Sequence, residues 1–235
     1  MSTGESPNRQ LLEAVAKQIR PLLDRVVFVG GQVGEFYITD PAAVRVRPTT
    51  DVDVVVSVAT RAAYHRIGEE VRELGFRNDQ SDEALICRWI SPRGHQLDLM
   101  PVDPSILGFT NRWYPMVVEE PVRQNLTDDL SILVPTPPVF LATKLEAFGG
   151  RGASDLLGSW DLEDVILLVA GRPELVEEVQ QESPELRRWV AKEVGKLQEK
   201  PEFSYAIQGA LPDAAQLPGY LDVVGERFEA LARRG

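Results

Sequence analysis

The chain has little from which to build covalent or soft-metal chemistry. It holds one cysteine, Cys87, and two histidines, His65 and His95, among 235 residues. One thiol makes neither an internal disulfide nor a cysteine-based metal site, and two isolated histidines do not suggest zinc. No window approaches the run of roughly 18 apolar residues that a membrane span needs. The opening stretch MSTGESPNRQ is polar where a secretion signal would be apolar. A cytoplasmic protein without membrane association is therefore the expectation. Positive charge is also in short supply: the formal net charge is -11, and Asp and Glu outnumber Lys and Arg by 20 to 15 over residues 1–150 and by 16 to 10 over residues 151–235. A protein that tracks along nucleic acid displaces counterions from many phosphates with a basic face, and neither half offers one. Local clusters such as Arg45 with Arg47, or Arg187 with Arg188 and Lys192, suffice for one phosphate group.

What is present is enough apolar material for a real core, 43% of the chain, in two textures. The spacing of Leu11, Leu12, Val15, Ile19, Leu22 and Leu23 predicts an amphipathic helix over residues 8–24. Short alternating units follow. VVFV reads as a strand broken by Gly30-Gly31 ahead of a short helix through residue 38, and DVDVVVSV as a second strand. RAAYHRIGEEVRELG reads as a helix closed by Gly75. ALICRWI and HQLDLMPV read as strands joined by the turn SPRG, and LSILVP as a further strand. After PTPP the pattern turns helical, over residues 137–149, 158–170, 173–181, 184–198 and 218–233. Thr136 and Ser183 stand where caps belong, each just ahead of a proline. The expected fold class is α/β (α+β): a small mixed β-sheet core with flanking helices and an N-terminal helix over residues 1–135, then a helical subdomain over residues 136–235 packed on it.

Two stretches carry chemistry: FVGGQVGEFYITD, residues 28–40, and RPTTDVDVVV, residues 47–56. In a strand, side chains at i and i+2 share a face, so Asp51 and Asp53 point the same way about 7 Å apart while Val52, Val54 and Val56 face the core. Two carboxylates that close repel unless one is protonated or a cation joins them. A hard divalent ion such as Mg²⁺ prefers such oxygens and keeps positions open for substrate phosphates. Gly30 and Gly31 lead from a strand into a helix start, where bare backbone N–H groups come close to an anion. Arg47 and Thr50, just ahead of the carboxylate strand, are candidate phosphate contacts.

Strand, Gly-Gly, helix and Asp-x-Asp in this order resemble the polymerase-β-type nucleotidyltransferase superfamily. The resemblance implies a third carboxylate on a later strand. HQLDLMPVD supplies Asp98, flanked by Leu97 and Leu99 on the opposite face; Asp103 is the nearby rival, in a loop after Pro101. Farther on, LATKLEAFGGRG and SWDLEDVILLVAGR resemble a signature of the abortive-infection type E toxins, a nucleotidyltransferase branch of bacterial toxin–antitoxin systems. This implies a functional Lys144 on the first helix after the sheet and a carboxylate on the next, Asp161 or Asp164. Helical geometry supports the lysine: Phe140, Leu141, Leu145 and Phe148 define a buried stripe, and Lys144 lies within it, where a lone ammonium needs an anion such as a triphosphate or Asp164.

The expected activity is transfer of a nucleoside monophosphate from a nucleoside triphosphate to an acceptor hydroxyl, with release of pyrophosphate. Asp51, Asp53 and Asp98 would hold two Mg²⁺ ions, with Mn²⁺ as the alternative, while Gly30, Gly31 and Lys144 hold phosphates. The acceptor is open among RNA such as a tRNA end, a protein and a small molecule, and the branch implies a cognate antitoxin. Rivals are a metal-dependent glycosyltransferase and a catalytically silent module that keeps the fold and binds a nucleotide or protein. A haloacid-dehalogenase phosphatase is disfavoured, because its aspartates follow the apolar strand instead of opening it. The expectation is exposed at two points: Asp98 facing away from the Asp51 and Asp53 pair, or a salt bridge already occupying that corner, overturns the enzyme assignment.

Overall fold

The structure is a computed structural model that describes residues 6–40, 46–81, 85–152 and 155–233. Arg45, named above, and Ala84, the first residue of ALICRWI, lie outside the described residues. The chain divides into two units, Met1–Val33 with Arg47–Thr136, and Gly34–Val46 with Pro137–Gly235. Residues 34–46, read above as part of the core, belong to the second unit. Their backbone explains this. The N–H groups of Thr39 and Asp40 both donate to Gly171 O, at 2.9 and 3.0 Å, Arg172 Nη1 donates to Tyr37 O at 2.9 Å, and the Tyr37 ring lies 5.0 Å from that of Phe140.

The first unit is built on a five-stranded sheet in the order β1-β2-β5-β4-β3, with β1 Val26–Phe28, β2 Asp51–Val56, β3 Arg77–Asn78, β4 Arg88–Ile90 and β5 Gln96–Pro101. β2 and β5 run parallel; the other neighbours are antiparallel. The valines of β2 and Leu97 and Leu99 of β5 are buried, each worth roughly 1.5–3 kcal/mol relative to exposure, which fixes these two strands as the centre. A parallel pair needs a crossover, and α2, Arg61–Glu73, provides part of it. Thr60 caps α2 by accepting from Ala63 N. The helix ends at Gly75 in the left-handed region, φ +91°, a conformation that glycine adopts without a Cβ penalty. α1, Pro7–Gln18, is capped by Ser6 and buries Leu12, Val15 and Ala16. Two short helices, α3 Pro104–Leu107 and α4 Tyr114–Glu119, precede a separate hairpin of β6 Val122–Thr127 and β7 Leu130–Val134.

The second unit is helical: α5 Pro137–Ala147, α6 Trp160–Gly171, α7 Leu175–Gln181, α8 Pro184–Gln198, α9 Phe203–Ala210 and α10 Tyr220–Arg233. Ser159 and Ser183 cap α6 and α8, accepting from the N–H groups of Leu162 and Leu186. Thr136 does not cap α5 as expected; its hydroxyl is buried without a partner among the described residues. α5 is buried along Pro138–Leu145 and α6 along Asp164–Gly171, so a charge in the middle of either helix must find its counterion inside. No described helix is long and apolar enough to cross a membrane.

Candidate functional site

The register of the first unit's sheet lines up three charged side chains in one row. Asp53 of β2 stands beside Asp98 of β5, and Asp98 stands opposite Arg88 of β4. Residues in register point to the same face, and neighbouring strands lie about 4.8 Å apart, so these three share one surface, with Asp51 two residues before Asp53. Asp51 and Asp53 are partly exposed at the head of the strand, while Asp98 is 3% exposed.

Arg88 was missed in the sequence, and it changes the site. Its Nε donates to Asp98 Oδ1 at 2.8 Å and its Nη2 to Asp98 Oδ2 at 2.7 Å, a bidentate pair. The same Nη2 reaches Asp51 Oδ2 at 3.4 Å. Hydrogen bonding to Asp98 and the carboxylate charges raise the guanidinium pKa further above its ordinary value, against the opposing cost of burial. Asp98 is thus not a bare third carboxylate but one with both oxygens engaged: the salt bridge named above as overturning the enzyme assignment is present, and an assignment that needs Asp51, Asp53 and Asp98 together as metal ligands fails. Among the described residues, no three His, Cys, Asp or Glu side chains form a metal-binding group. Asp103 accepts from Ser105 N and caps α3. Cys87, next to Arg88, is buried; desolvation, then the Asp98 charge, pushes its thiol up to about 12.

Of the two glycines, both buried, Gly30 lies against Asp53. After β1 the chain bends through Gly30 into a tight 3-10 turn, Gly31–Tyr37, and Val29 N donates to Asp53 O at 3.0 Å. A Cβ on Gly30 would stand 2.5 Å from Asp53 Oδ2 and 2.1 Å from Gln32 Oε1. Glycine is needed there because the carboxylate rests against its Cα. Asn8, buried on α1, was also missed. It donates to Arg47 O at 2.8 Å and accepts from Thr49 N at 2.9 Å, bracing the approach to Asp51. Arg47 is half-buried and Thr50 exposed at the strand head.

The donor set of this unit fits one hard divalent cation. Asp51 and Asp53 are two partly exposed oxygen donors on one face, next to a cradle that a single Cβ would fill. With three carboxylates and one guanidinium the cluster carries two net negative charges, which one divalent ion matches. Replacing Gly30 by alanine is expected to force Asp53 and the fully buried Gln32 from their places, costing roughly 1–3 kcal/mol in stability. Mn²⁺ affinity should fall at least tenfold; unchanged affinity in a calorimetric titration would show that Asp53 does not need this cradle.

Lys144, Asp161 and Asp164 lie in the second unit. Lys144 Nζ is 2.6 Å from Asp164 Oδ2 and 3.4 Å from Asp161 Oδ1, and 5.6 Å from the centre of the Phe140 ring. The inward lysine inferred from the apolar stripe has its anion, and of the two aspartates Asp164 is the deeper and nearer partner.

Comparison of the sequence with models of protein families gives no match, and comparison with curated proteins gives none either. The fold is similar to that of a crystal structure of an antigenic nucleotidyltransferase-like protein from Paracoccidioides brasiliensis, with a TM-score of 0.52 and 19% sequence identity, covering 91% of this chain and 97% of that one.

Proposed function

We propose that the chain is a divalent-metal-dependent nucleotidyltransferase, moving a nucleoside monophosphate from a nucleoside triphosphate to an acceptor hydroxyl. The acceptor oxygen bonds to the α-phosphorus as the bond to pyrophosphate breaks. The observation that carries this reading is the Asp51–Asp53 pair at the head of β2, with the Asp53 carboxylate resting against the bare Cα of Gly30. A bound hard cation would supply charge neutralisation for the triphosphate and acidify the acceptor hydroxyl. Asp51 and Asp53 hold their oxygens on one face, and Gly30 and Gly31 let phosphate approach the backbone. Arg88 neutralises Asp98 and adds a fixed positive charge near Asp51. One ion suits this charge balance better than two, since a second would have to displace Arg88 from Asp98.

The likeness of Lys144, Asp161 and Asp164 to the toxin branch favours a tRNA end as acceptor, with a cognate antitoxin as partner. The acidic charge of both halves favours a protein hydroxyl or a small molecule. Incubation with each α-labelled nucleoside triphosphate, Mg²⁺ or Mn²⁺ and a cell lysate distinguishes these by whether RNA, protein or small molecules take up label. Asp53→Asn should reduce labelling at least a thousandfold while circular dichroism stays unchanged; full labelling by that variant would refute the site.

One observation favours a second reading. Arg88 engages both oxygens of Asp98, as befits a chain that has no use for that carboxylate in metal chemistry. The protein would then be a silent nucleotide- or protein-binding module, and calorimetry would find no Mg²⁺-dependent nucleotide binding.

A further inference from the structure

Gln32 is fully buried, and neither its amide nitrogen nor its amide oxygen has a hydrogen-bond partner among the described residues. Buried carboxamides are nearly always paired, because an unpaired one forfeits its hydration without return. Its position is informative. Gln32 Oε1 and Asp53 Oδ2 converge on the point where a Gly30 Cβ would stand, at 2.1 and 2.5 Å from it. Both atoms bear lone pairs and neither carries a hydrogen while Asp53 is ionised. Two such oxygens repel unless a cation joins them.

We propose that Gln32 is a ligand of the divalent cation, its Oε1 supplying the third hard oxygen beside Asp51 and Asp53. The inference rests on the metal-dependent reading above and deepens it. The sequence assigns the third position to Asp98, but Arg88 holds both Asp98 oxygens, whereas the Gln32 oxygen has no hydrogen-bond partner among the described residues and converges with Asp53 on the space beside Gly30. A carboxamide is neutral, so the pair of carboxylates still matches one divalent ion, and carbonyl oxygens suit Mg²⁺ and Mn²⁺ as ligands. The missing side chain at Gly30 then serves the ion as well as the chain.

The test is Mn²⁺ binding without nucleotide, followed by electron paramagnetic resonance of free Mn²⁺ and by thermal melting, on the wild-type chain and on Asp53→Asn, Gln32→Met and Gln32→Glu. Gln32→Met keeps the volume and removes a buried unpaired amide, so the metal-free variant should melt no lower than wild type. Its Mn²⁺ affinity should fall about 10- to 100-fold, and the Mn²⁺-induced rise in melting temperature should shrink with it. Gln32→Glu, which substitutes a charged oxygen ligand, should bind Mn²⁺ at least as tightly as wild type; clearly weaker binding would count against the ligand role. Wild-type affinity in Gln32→Met, with binding lost in Asp53→Asn, would overturn the role of Gln32 and leave the aspartate pair as the metal site. Absence of Mn²⁺ binding by the wild-type chain would overturn both.

Discussion

Arg88→Met is expected to cost about 3–5 kcal/mol of stability at pH 7, the usual penalty for removing one partner of a buried ion pair. Asp98 is 3% exposed and loses both of its guanidinium bonds. Methionine covers the apolar stem but offers no donor. The carboxylate left behind stays buried with both oxygens stripped of their donor. Urea midpoints of both chains at pH 7 measure the loss. The double variant Arg88→Met/Asp98→Leu should recover to within about 1 kcal/mol of wild type. A single variant as stable as wild type would mean that the pair is not what holds these strands' charges.

Lys144→Met should be nearly as damaging, about 3 kcal/mol, for a related reason in a different setting. Lys144 and Asp164 sit where α5 and α6 are buried on all sides, and their side chains are 11% and 3% exposed at a separation of 2.6 Å. Water cannot replace the lysine there. Asp161 is more loosely held, at 3.4 Å and nearer the start of α6, so Asp161→Asn should cost under about 1 kcal/mol. Chemical denaturation of the three chains gives the ranking directly. If Asp161→Asn proved the worse variant, the assignment of Asp164 as the lysine's principal partner would be wrong.

Much of the first unit was legible because β-strands have a period of two. Asp51 and Asp53 declared themselves as same-face carboxylates among valines, while Asp98 was reached through the third carboxylate that the family resemblance implies, set between two leucines of a later apolar run. Arg88 escaped because its meaning lies in pairing and not in its own segment, which reads as one more apolar strand. A turn of the four residues SPRG would set Ile90 opposite His95 and Arg88 opposite Leu97, on the other face from Asp98. In the structure Ser91 N donates to His95 O, the loop is Pro92–Gly94, and Arg88 stands opposite Asp98; the ion pair depends on a one-residue shift of register that the turn sequence does not declare. Gln32 and Asn8 had no local signal either, since one sits in a turn folding back on itself and the other bonds a residue 39 positions along the chain. β6 and α9 were missed for local reasons: VRQNLT is polar enough to pass for loop, and Phe203–Ala210 is only eight residues long.

The segment 34–46 carries a consequence for synthesis. It is translated within the first unit yet keeps company with the second, and Tyr37 must wait for Phe140 about a hundred residues later. At roughly 5–20 residues per second on a ribosome, that wait lasts about 5–20 s. During it the loop hangs from a nascent sheet with its final neighbours not yet made. Cutting the gene at residue 136 would separate that loop from them permanently, so neither product would be a complete folding unit.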